Sequence, residues 1–88
     1  MVTSTSVPAV SSVDDGRALL DDIDSRLMQL LGERRTVSKQ VQHLRVQDGG
    51  SRVEHSRENA IIRRWAETLG DGGAELALAV LAHCRGRV

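Results

Sequence analysis

Arg34, Ser38 and Arg45 have the types and spacing to hold a small anion. With Val41 they step by four, three and four residues, so on an α-helix they share one stripe. A guanidinium stays charged and offers a planar fork of donors that meets a carboxylate through two parallel hydrogen bonds. Arg34 and Arg45 lie roughly 16 Å apart along a helix axis, and side chains reaching inward from both can bracket one small molecule. The bland alternative is that both run along apolar surface with their heads in water, and the stripe alone leaves the two readings open. Arg17 is a third basic position on the same helix, roughly 25 Å from Arg34 and too far to share a small ligand within one chain. A crossed or antiparallel dimer of the helix removes that objection by bringing Arg17 of one protomer near Arg34 of the other. Downstream stand Glu54, Arg57 and Glu58, just ahead of a second apolar face. By themselves Glu54 and Glu58 read as a solvated face.

These side chains need long helices to carry them. Asp14 and Asp15 put negative charge where a helix N-terminus favours it, and from there to about Val46 the chain has no proline. Leu20, Ile23, Leu27, Leu30, Leu31, Val37, Val41 and Leu44 recur at steps that predict one long amphipathic helix, roughly 45–50 Å from end to end. In a heptad register Leu20, Leu27, Arg34 and Val41 fall on one seam, so Arg34 takes a place the pattern reserves for an apolar residue. A guanidinium facing a core is costly unless something negative meets it. Asp48-Gly49-Gly50-Ser51 breaks the helix. A second helix is predicted from about Val53–Ser56 to Leu69 with Ala60, Ile61, Trp65 and Leu69 buried. After Gly70-Asp71-Gly72-Gly73 a third, apolar nearly all round, runs from about Ala74 to His83 and should lie beneath the others. No segment alternates like a strand. The expected fold is all-α, with three helices of very unequal length in residues 14–88 and a flexible Ser/Thr-rich tail over residues 1–13.

Composition excludes much else. The 88 residues carry 12 Lys+Arg against 12 Asp+Glu, a formal net charge of zero, so no overall field draws the chain to nucleic acid or anionic lipid. The one aromatic residue, Trp65, leaves no row of rings for base stacking and reads as core. Cys84, the lone cysteine, permits no internal disulfide and reads as a small buried hydrophobe. His43, His55 and His83 have no ligand spacing, so no metal site is expected. No apolar run reaches the roughly 18 residues of a membrane span, and the N-terminus lacks the regions of a signal peptide, so the expected location is the cytoplasm. A domain this small buries only roughly 60% of its unfolded surface, and with disulfides and metals set aside, oligomerisation is the expected source of stability.

Arg17 seven residues before Asp24, the run Leu30-Leu31-Gly32-Glu33-Arg34-Arg35, Arg45 eleven after Arg34, and Arg57-Glu58 twelve after Arg45 together resemble the all-helical chorismate mutases. His55-Ser56-Arg57-Glu58 and Arg85-Gly86-Arg87 look most like the short intracellular subclass of actinobacteria, and the resemblance spans roughly residues 14–88.

The resemblance implies an intertwined homodimer that rearranges chorismate to prephenate on the path to phenylalanine and tyrosine, with no cofactor and no covalent intermediate. It assigns the substrate's two carboxylates to Arg34 and to Arg17 of the other protomer, and the ether oxygen to Arg45. Arg57 would close over the substrate, Glu58 would accept a hydrogen bond from the ring hydroxyl, and Ser38 and Glu54 would make minor contacts. In this subclass a weak mutase is activated by complexing with DAHP synthase, which would make Arg85, Gly86, Arg87 and Val88 docking residues; their other reading is a basic helix end complementing the dipole. Many relatives carry a glutamine or glutamate late in the third helix, where this chain has Ala82, His83 and Cys84, so a modest stand-alone rate is expected. An isochorismate pyruvate-lyase or amino-deoxychorismate mutase on the same scaffold would need the same carboxylate clamps. A non-catalytic helical dimer would leave the seam arginines in water.

Overall fold

The computed structural model describes residues 9–50 and 54–85. They form three helices, α1 (Val13–Gln47), α2 (His55–Leu69) and α3 (Gly73–Cys84), with no strand among the described residues. Of the predicted tail, residues 1–8 lie outside this description. Ser12 is the N-cap of α1, its hydroxyl accepting a hydrogen bond from the Asp15 amide at 3.1 Å, so the helix begins one residue earlier than Asp14. At the far end Asp48 is the C-cap and Gly49 takes a φ of 81°. The Gly50 amide then donates to the Arg45 carbonyl at 2.7 Å and the Gly49 amide to the Val46 carbonyl at 3.0 Å. This closure needs a left-handed residue, which glycine supplies, and it fixes the last turn of α1, where Arg45 sits.

Packing is centred on α3, the helix that lies against both others. Its Gly73, Ala77, Val80, Leu81 and Cys84 are the buried residues, whereas α1 and α2 have none. Gly73 allows α3 to start hard against α2, since a Cβ there would fall 2.6 Å from the Trp65 carbonyl oxygen. That approach decides which side of α2 is covered. Ile61, Ile62, Trp65 and Ala66 are half-buried, whereas Ala60 and Leu69, expected to be buried, are exposed. The expectation that α3 lies beneath the others is met on one face only: Leu76 and Leu78 are about half exposed, because the other two helices cover one side of α3.

The long helix is mostly bare. Leu20, Ile23, Leu27, Leu30, Val37, Val41 and Leu44 of α1 are each 43–60% exposed. The chain measures 54 × 23 × 23 Å, and its accessible surface of 7227 Å² exceeds the roughly 5,100 Å² of a compact monomer of this mass. A continuous exposed apolar stripe of this kind marks an interaction face.

Candidate active site

A cleft of about 560 Å³ opens where the C-terminal half of α1, the first turns of α2 and the end of α3 come together. From α1 it receives Arg34, Ser38, Gln42 and Arg45, which step by four, four and three residues and share one helix face. The N-cap and first turn of α2 add Glu54, Arg57 and Glu58. Leu81, Cys84 and Arg85 come from α3, and Leu30, Val37, Val41 and Ile61 give the cleft apolar walls.

Two ion pairs organise the charges. The Arg45 guanidinium lies 3.5 Å from the Glu54 carboxylate, joining the last turn of α1 to the start of α2. Glu54 makes no side-chain capping bond to its own helix, and its carboxylate points to Arg45 instead. Arg85, the C-cap of α3, meets Glu58 with Nη1 2.5 Å from Oε2. Among the described residues, no carboxylate stands within ion-pair distance of Arg34 or Arg57. Among the described residues that line the cleft, four arginines face three glutamates, Glu33 being the third, an excess of one positive charge. Such a cleft favours an anion, with Arg34 and Arg57 as the uncommitted forks.

The expected site residues separate in space. Arg34, Ser38, Arg45, Glu54, Arg57 and Glu58 line the one cleft. Arg17 does not: it is exposed near the beginning of α1, at the opposite end from Arg45. Arg85, expected as a docking residue or as a basic helix end, is the C-cap of α3 and lies in the cleft wall on Glu58. Gly86, Arg87 and Val88 lie outside the described residues.

Gln42, Glu33 and Cys84 also line the cleft, which the sequence alone does not predict. Gln42 carried a signal, being four residues beyond Ser38 on the arginine stripe, but a polar residue at that spacing is equally at home in water. Cys84 is 1% exposed, and its position at the cleft depends on how the end of α3 meets α1 and α2. No group of three or more His, Cys, Asp or Glu side chains able to hold a metal occurs among the described residues. Nor is any described helix long and apolar enough to cross a membrane.

Comparison with known proteins gives this arrangement a lineage. The family described as Chorismate mutase type II matches residues 16–81. The chain is similar to the intracellular chorismate mutase of Mycolicibacterium smegmatis, with 37% identity over 82 residues, 93% of this chain and 79% of that one. It is 36% identical over 88 residues to the intracellular chorismate mutase of Mycobacterium tuberculosis, covering 100% of this chain and 80% of the relative. In structure it is similar, with a TM-score of 0.81 and 29% identity over 86% of this chain and 92% of the other, to a chain from Corynebacterium glutamicum. That structure is a non-covalent complex of DAHP synthase and chorismate mutase with a bound transition state analog. With three quarters of its length matched and an arginine-lined cleft between its helices, the chain belongs to the chorismate mutase type II family.

Proposed function

We propose that this chain is a chorismate mutase that rearranges chorismate to prephenate in a cleft completed by a second copy of itself. The carrying observation is the convergence of Arg34, Arg45 and Arg57 with Ser38 and Glu58 on one partly apolar cleft. Chorismate is a dianion, and its ether oxygen gains negative charge as the bond to the ring breaks. The rearrangement therefore asks for a compact conformer held in place and fixed positive charge at that oxygen. No nucleophile or proton relay is needed.

Arg34 takes one carboxylate, and Arg17 of a second copy takes the other. Arg45 faces the ether oxygen, where its charge counts for more in the transition state than in the ground state. Arg57 closes over the substrate, and Glu58 accepts the ring hydroxyl. Ser38 and Glu54 are minor contacts, Glu54 acting through Arg45. The bare stripe of α1 supports the homodimer, since it is long enough to seat a second α1. It also answers the position of Arg17, which in a crossed pair of long helices lies near Arg34 of the other copy.

Association with DAHP synthase is supported by the Corynebacterium glutamicum complex, and docking through Arg85 and the residues after it is what the family resemblance implies. A cytoplasmic location fits relatives named intracellular. The test is to follow chorismate by absorbance with and without added DAHP synthase and to identify the product. Prephenate, formed faster with the partner, is the expected result. Pyruvate release would assign a lyase instead, and no turnover in either condition would leave a binding module.

A further inference from the structure

The mutase reading assigns Glu58 to the substrate hydroxyl and leaves Arg85 outside the chemistry. Resting on that reading, we propose that Arg85 is a positioning residue for this reaction, acting through Glu58. Its Nη1 lies 2.5 Å from Glu58 Oε2 across 27 residues of sequence. Both side chains are only 24% exposed, so the pair is less screened by water than a surface contact.

Each end of the pair is anchored by its helix. The Arg85 amide donates to the Leu81 carbonyl at 3.1 Å, and the two residues next to this anchor, Leu81 and Cys84, are 7% and 1% exposed. The Glu58 amide donates to the Glu54 carbonyl at 3.0 Å in the first turn of α2. The guanidinium thus arrives from a fixed backbone and holds a carboxylate that would otherwise sample several rotamers.

The contact fixes Glu58 without using it up. A carboxylate offers two oxygens with about four lone-pair sites. Arg85 engages Oε2, and among the described residues no side chain engages Oε1, the oxygen that would meet a hydroxyl donor. Glu54 differs on both counts: its side chain is about half exposed and it is paired with a cation that itself faces the substrate. Arg85 therefore makes the acceptor that orients the ring hydroxyl depend on the C-terminal end of α3.

Steady-state kinetics on chorismate with the full chain, run as a double-mutant cycle, test the proposal. Arg85→Ala should lower kcat/KM by about tenfold, chiefly through a higher KM, since a misplaced acceptor weakens substrate holding. Arg85→Lys keeps a cation and should recover most of that loss. In a Glu58→Gln background Arg85→Ala should cost less than about twofold, because the group it positions is already impaired. An Arg85→Ala enzyme with unchanged kcat/KM overturns the inference. So does an equal loss in both backgrounds, or a fall in kcat at constant KM that follows the folded fraction in a thermal melt. Inactive wild-type protein would instead overturn the mutase reading itself, so the two failures are distinct.

Discussion

The Arg45 guanidinium stands 3.5 Å from the carboxylate of Glu54, so the basic group assigned to the ether oxygen is held by the residue that opens the next helix. The pair spans the break at residues 48–53 and orients Arg45 before any substrate arrives. Arg45 is 29% exposed in its side chain and Glu54 51%, so the pair itself contributes at most about 1 kcal/mol.

That difference separates two substitutions. Arg45→Ala should lower kcat by roughly 100-fold or more, as expected when a donor to a developing oxyanion is removed. Glu54→Ala should lower it by no more than about fivefold, since only the orienting contact is lost. Steady-state kinetics on both variants check this. An Arg45→Ala kcat within about threefold of wild type would take Arg45 out of its role.

Arg17 and Arg34 stand on opposite sides of a sharper test. Each single alanine variant should be nearly inactive alone. Refolding the two together in equal amounts should restore about a quarter of wild-type activity, because half of the random dimers are mixed and each mixed dimer has one intact site. No recovery on mixing would mean that both arginines serve the same protomer's site or that neither serves a site.

Leu27 lies on the bare stripe of α1, 51% exposed in a single protomer. As a lone surface residue it should tolerate Leu27→Lys within about 0.5 kcal/mol. In a dimer the lysine is buried without a partner. Light scattering should give twice 9.6 kDa for the wild type and a smaller or unfolded species for the variant, with activity lost in parallel.

Gly73→Ala probes the α2–α3 contact. The added methyl would meet the Trp65 carbonyl oxygen at 2.6 Å and the Ala66 Cα at 3.1 Å, both backbone groups that cannot swing away. The expected cost is about 1–3 kcal/mol, or a Tm lower by roughly 5 °C or more. A circular dichroism melt measures it.

Some of this protein is legible in its sequence. The three helices follow from apolar periodicity and from the glycines that interrupt it, because both act through local backbone preference and residue spacing. The arginine stripe is legible for the same reason: Arg34, Ser38 and Arg45 share a helix face wherever that helix is placed. The pairing of Glu54 with Arg45 and of Glu58 with Arg85 depended on the tertiary structure, as did the cleft positions of Gln42 and Cys84. The Glu58–Arg85 pair and the place of Cys84 depend on how α3 packs against α1 and α2, and the Arg45–Glu54 pair on where α2 starts relative to the end of α1. The approach at Gly73 is set by a glycine that the sequence reading takes only for part of a turn. Which side of α2 is covered, with Ile62 and Ala66 half-buried in place of Ala60 and Leu69, follows from the same approach. Periodicity names the faces of a helix, but only packing against a neighbour chooses which of them is shielded from water.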